Sequence, residues 1–166
     1  MREPHYAPSS MTDHESDRLV AWGAEMRAVH DRLRGALRLS QEAVVDGGPL
    51  PEPARELLLF CHGYCSALDG HHRGEDAMLF PAVEAGHPDL SPQLRKLEQD
   101  HAMIGTLLAG LESAVSRAAS PVVLGQHLEG LAAIMESHFG FEERTLLAVL
   151  DRLEFDAPVD AVYGPL

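Results

Sequence analysis

The strongest constraint on the fold is a pair of short segments. His71 and Glu75 stand four residues apart, and His138 and Glu142 repeat the spacing. On a helix, residues at i and i+4 project from the same side, with Cβ atoms about 6 Å apart. An imidazole and a carboxylate aimed at one point can hold a transition metal. One such pair alone is usually a surface hydrogen bond. Two of them in one short chain call for a fold that brings their helices face to face.

The composition agrees with a helical scaffold. The chain has 166 residues, the length of one domain. Its apolar residues are mainly Leu, Ala, Val and Met, with no alternating β-branched runs and no Asn-Gly turn. A net charge of −13 without a Lys/Arg cluster argues against a nucleic-acid partner. Cys61 and Cys65, four apart on an expected helix, do not make a secreted disulfide framework. They read as small core residues, with a redox pair as the other option. There is neither a membrane-spanning apolar stretch nor a basic-then-apolar leader. The expectation is a soluble cytoplasmic protein with no membrane partner.

Residues 1–12 are rich in Pro and Ser and read as a flexible N-terminal tail. Residues 13–156 read as one bundle of four long helices. The first, from Asp13 to Val45, carries Leu19, Trp22, Met26, His30, Leu33, Leu37 and Val44 on one stripe. The second begins at Pro51 to Pro53 and runs through Leu57, Phe60, Tyr64 and Leu68 to His71, Glu75 and Met78. Pro81 should kink or end it. Ser91-Pro92 and Ser120-Pro121 open the third and fourth helices with a cap and a first-turn proline. Their inward stripes read Leu94, Leu97, His101, Ile104, Leu108, Leu111 and Leu124, His127 or Leu128, Leu131, Ile134 or Met135, His138, Glu142, Thr145. Residues 157–166 read as an irregular C-terminal tail. Short loops between long helices predict an all-α, up-down-up-down four-helix bundle.

Each expected helix thus places a histidine on its apolar seam: His30, His71, His101 and His138. A lone buried imidazole needs only one polar partner. Four together, with two inward carboxylates whose uncompensated burial is costly, are better satisfied by two metal ions between them. Glu75 and Glu142 are placed to bridge, with two histidines for each ion and open positions left over, unlike a closed structural zinc site. Imidazole and carboxylate suit iron, manganese or zinc, and an open bridged pair suits redox iron meeting O2, peroxide or NO. By helical phase, Trp22, Met26, Leu97 and Ile104 should line a dry pocket there. One alternative stands beside this set: His72 and Asp76 form a second i, i+4 pair, one residue out of phase. The parallel with His138 and Glu142 favours His71 and Glu75. His62 reads as peripheral, and His127 as a boundary or core residue.

These residues resemble the hemerythrin-like family, also called the HHE cation-binding domain. The resemblance rests on His30, on the segment from His71 to Glu75 with Leu79-Phe80-Pro81 after it, on His101, and on the segment from His138 to Glu143. It covers about Asp13 to Leu153. It implies a non-haem di-iron centre: two iron ions (Fe2+/Fe3+) with a bridging oxo, hydroxo or water, held by His30, His71, Glu75, His101, His138 and Glu142. The implied partner is a small molecule, O2, H2O2 or NO. The oxygen-carrying members look to have a second histidine one turn after the third-helix ligand, where this chain has Gly105. They also end with an aspartate five residues after the last histidine, where this chain has Glu142 at four. The missing nitrogen predicts a more open iron, suited to turnover more than to storage. That leaves an oxidoreductase of catalase/peroxidase or O2-activating type, or an iron- or oxygen-sensing or metal-binding module without turnover. A ferritin-like bundle would need Glu-x-x-His twice, and Glu98 with His101 is the one match.

Overall fold

The structure is a computed structural model describing residues 20–45 and 53–164, with the side chains of 53–61 outside the description. In chain order it comprises α1 (Trp22–Val45), α2 (Pro53–Gly74), a π turn (Glu75–Leu79), α3 (Phe80–Gly86), a 3-10 turn (Pro88–Leu90), α4 (Ser91–Ser116), α5 (Pro121–Leu150) and α6 (Val159–Tyr163). No strand occurs among the described residues. Helix α1 packs on α2 and α5, and α4 packs on the same two, so the four long helices close into a ring. This is the expected all-α bundle. None of its helices is long and apolar enough to cross a membrane, among the described residues.

The core follows the 3.6-residue stripes. Met26, Leu33 and Leu37 of α1, Leu94, Leu97, Ile104 and Leu111 of α4, and Leu124, Leu128, Leu131 and Met135 of α5 are all buried. Ser120 caps α5 as expected, accepting from the Val123 N–H at 3.4 Å. Ser91 does not cap α4. The 3-10 turn feeds straight into the helix, and the Ser91 hydroxyl donates instead to Glu84 Oε1 at 2.6 Å.

Three expectations need correction. The first helix starts at Trp22, with Val20 and Ala21 outside it; Asp13 to Leu19 lie outside the described residues. The Trp22 indole N–H donates to the Phe155 carbonyl at 3.1 Å, and the Trp22 carbonyl accepts from the Tyr163 hydroxyl at 3.1 Å, which anchors the helix start to the C-terminal segment. That segment is therefore not a loose tail. Residues 159–163 form α6, and Val162 and Tyr163 are fully buried. Gly74 admits this docking, because a Cβ there would overlap the Val162 carbonyl oxygen and sit 2.7 Å from that of Ala161.

The third correction concerns Pro81. It neither stops nor sharply ends the helix, which continues as α3 to Gly86. Proline lacks an N–H, and its ring crowds the carbonyl four residues back. Here the preceding turn widens, with the Phe80 N–H bonding the Glu75 carbonyl across five residues. The widened turn inserts a residue into the helical phase. The buried positions after Glu75 become Leu79, Phe80 and Val83, while Met78, expected inward, is only half-buried.

Candidate metal centre

All six residues expected to ligate metal lie in the bundle interior. His30, His71, Glu75 and Glu142 are 0 % exposed, His138 is 2 % and His101 is 5 %. They come from α1 (His30), α2 and its π turn (His71, Glu75), α4 (His101) and α5 (His138, Glu142). Potential ligand atoms fall into two compact groups, His30 with His71, Glu75 and Glu142, and His72 with His101 and His138.

His72 is the residue that helical phase left as an alternative to His71. The structure uses both. Neighbours on a helix diverge by about 100°, so the two rings straddle the seam and each reaches one group. The His72 ring stacks on that of His101, with centroids 4.0 Å apart and planes at 12°. His72 thus supplies from α2 the imidazole that is absent at Gly105 on α4. The expectation of two nitrogens per group is corrected: one group holds two imidazoles and the other three. The adjacent histidines are the signal in the sequence, because two neighbouring positions can flank one seam. Asp76, His72's expected companion, instead meets His101 Nδ1 at 2.7 Å.

The carboxylates tie the groups together. Glu75 Oε1 lies 3.4 Å from His71 Nε2, while its Oε2 lies 3.7 Å from His101 Nε2. Glu142 Oε2 lies 3.3 Å from His30 Nε2 and 3.7 Å from His138 Nε2. His101 Nε2 and His138 Nε2 are 3.2 Å apart. Nitrogen and oxygen ligands about 2.0–2.2 Å from one ion are separated by roughly 3–3.5 Å, so these spacings are those of shared ligation.

Apart from the 3.2 Å contact between His101 Nε2 and His138 Nε2, the hydrogen bonds around the centre face outward. His30 Nδ1 meets Glu143 Oε1 at 2.8 Å, and Arg34 holds that same oxygen at 3.2 Å. His101 Nδ1 meets Asp76, and His138 Nδ1 lies 3.9 Å from Asp100, which Lys96 holds at 2.9 Å. An outer carboxylate on Nδ1 fixes the tautomer that presents a bare Nε2 inward. Within the centre, both carboxylate oxygens of Glu75 and of Glu142, both ring nitrogens of His71, and Nε2 of His30 and His72 have no hydrogen-bond partner. Native interiors seldom leave so many buried polar atoms unpaired. A metal would satisfy them together.

The electrostatics point the same way. Burial lowers His71 to about 3 and His138 to about 4, and it drives His72 well below the usual range, with His101 and His71 adding repulsion. These rings are neutral at neutral pH, with lone pairs available. Burial, with Glu142 next to it, pushes Glu75 well above the ordinary carboxylate range. Burial also raises Glu142, but His30, then His138 and His71, outweigh it and hold that carboxyl down at about 2. Without a metal, the environment therefore favours the ionised form of Glu142 and disfavours that of Glu75.

The other histidines lie elsewhere. His62 is exposed, 3.8 Å from Glu112, and His87 is exposed after α3. His127 is half-buried beside Gly110. Cys65 is buried outside both ligand groups, and the Cys61 side chain lies outside the described residues. Trp22, Met26, Leu97 and Ile104, expected to line a dry pocket, are each 0 % exposed in the core.

No curated protein and no solved structure matches the chain significantly. The family model for the hemerythrin HHE cation-binding domain matches residues 24–150, a span that contains all four long helices' site residues and both His-x-x-x-Glu pairs. The chain belongs to the hemerythrin HHE cation-binding family, and its buried histidines and glutamates form two groups that could hold metal.

Proposed function

We propose that the two ligand groups hold a pair of iron ions and that the protein binds and reacts with a small oxidant, O2, H2O2 or NO. The observation that carries this reading is the division of Glu75, one oxygen toward the His71 group and the other toward the His101 group. A carboxylate so divided suits two ions better than one. The donor set is nitrogen and oxygen without thiolate, which favours iron, manganese or zinc over softer ions. Iron bound there would supply open coordination positions and a one-electron couple. The chain's own residues do the rest. Glu75 and Glu142 offset cationic charge in a dry interior. Glu143 and Asp76 hold the His30 and His101 imidazoles in the ligating tautomer. The group with two imidazoles leaves more room for an outside ligand than the group with three.

Metal analysis of freshly purified protein is expected to give two iron ions per chain, with an absorption band in the near-ultraviolet or blue that changes on adding H2O2. O2 release from peroxide would make the protein an oxidoreductase. A second reading, a sensing or metal-binding module without turnover, is favoured by the number of orphaned atoms that metal would satisfy, since metal then stabilises the fold strongly. It predicts a melting temperature that collapses on chelation and no reaction with peroxide. Retention of two metals by His71→Ala would overturn the assignment of the centre.

A further inference from the structure

The centre is sealed: no member of either ligand group is more than 5 % exposed. Any outside ligand must reach it through the protein. A cavity of about 140 Å³ lies between α1 and α5, with α2 behind it. Its wall includes Leu37, Tyr64, Ala132, Met135 and Phe139, with Arg34 at its edge. Phe139 belongs to both places. Its ring stacks on the His30 imidazole, with centroids 3.9 Å apart and planes at 19°, and lies 6.3 Å from His71 and 5.7 Å from His138. Arg34 lies over this same ring at 5.2 Å and ion-pairs with Glu136 at 3.0 Å.

We propose that this cavity is the antechamber through which a small uncharged molecule reaches the metal centre, with the Phe139 ring as its inner door. This rests on the reading above, that the centre binds an outside ligand. The size fits: an apolar cavity of about 150 Å³ admits xenon or benzene. The chemistry fits a diatomic such as O2 or NO. Leu37, Ala132, Met135 and Phe139 give the cavity an apolar side; Arg34, Arg38, Gln41 and Glu136 also line it, and the partly exposed Arg34 is already engaged by Glu136, Glu143 and Asp31. The Tyr64 hydroxyl is buried without a partner, so a guest costs it no existing hydrogen bond. A swing of the aromatic ring would join cavity and centre without moving a helix.

Filling the cavity tests this. Ala132 lines it on the half-exposed side of α5, so Ala132→Phe should block it without breaking the core; equal helix and metal content confirms that. Ala132→Leu serves if the larger residue impairs folding. Stopped-flow binding of NO to the ferrous protein is the first readout. A blocked route slows association and dissociation alike, by about tenfold or more, and leaves Kd unchanged. Unchanged rates, or a change in Kd carried by one rate alone, overturn the proposal. Failure of wild-type protein to bind NO would instead count against the iron reading. The second readout needs no metal. Under xenon, the ¹³C-labelled methyl of Met135 should shift in wild-type protein and not in Ala132→Phe. No shift in wild-type protein shows that the cavity admits no guest and overturns the proposal.

Discussion

Glu75→Gln should stabilise the metal-free protein while abolishing normal metal loading. Glu75 is 0 % exposed, neither oxygen has a hydrogen-bond partner, and Glu142 is its electrostatic neighbour. Its carboxyl is raised well above 4.5, first by burial and then by Glu142. A group whose folded pKa is raised binds a proton that the unfolded chain releases. Its penalty is absent below about pH 4.5 and grows as pH rises toward the folded value. At pH 7.5, about three pH units above the ordinary value, the penalty can reach about 4 kcal/mol. Glutamine keeps the shape and removes the charge. Its amide inherits some of the orphaned polar atoms, which returns about 1–3 kcal/mol of cost. The expected net gain is about 1–3 kcal/mol, or roughly 2–10 °C in Tm for a chain of this size. Thermal melts of chelator-treated wild-type and Glu75→Gln protein at pH 7.5 and 5.0 measure it. At pH 5.0, where about half a pH unit separates solution from the ordinary value, the penalty falls below about 1 kcal/mol and the gain should vanish or turn into a small loss. In metal-loaded protein the order should reverse, because only the wild type gains from binding. A metal-free Glu75→Gln protein that melts lower than wild type at pH 7.5, or a gain independent of pH, would refute the reasoning. Either result would make Glu75 a structural hydrogen-bonding residue rather than a ligand held ready at a cost.

Three further outcomes follow from the geometry. His72→Ala should lower metal content from two ions toward one per chain by elemental analysis, because it removes one of three imidazoles from a single group; retained full loading would restrict the ligands to those expected from sequence. Asp76→Asn should weaken metal retention about 10–100-fold in a chelator competition by freeing the His101 ring, with little change in metal-free Tm. Gly74→Ala should cost about 1–3 kcal/mol by displacing α6, and should red-shift the emission of Trp22, the sole tryptophan, whose carbonyl the Tyr163 hydroxyl holds; unchanged emission would show that α6 does not cover the helix start.

Much of this protein was determined by sequence alone, because helical periodicity is local. The seams of α1, α4 and α5, the all-α bundle, and the burial of His30, His71, Glu75, His101, His138 and Glu142 all follow from where apolar residues recur at three and four. Tertiary structure decided what periodicity cannot carry. Inward-facing is a matter of degree, so phase alone set His72 against His71, whereas a seam between two neighbouring helices admits both. The π turn breaks the phase just after Glu75, and its cause is a proline one turn later together with the packing of α6. The pairing of Asp76 with His101 and of Glu143 with His30 joins residues 25 and 113 positions apart, which no local pattern encodes. The docking of Tyr163 on Trp22 spans 141 positions, and its physical basis is burial in a niche that exists only once Gly74 and α1 are in place.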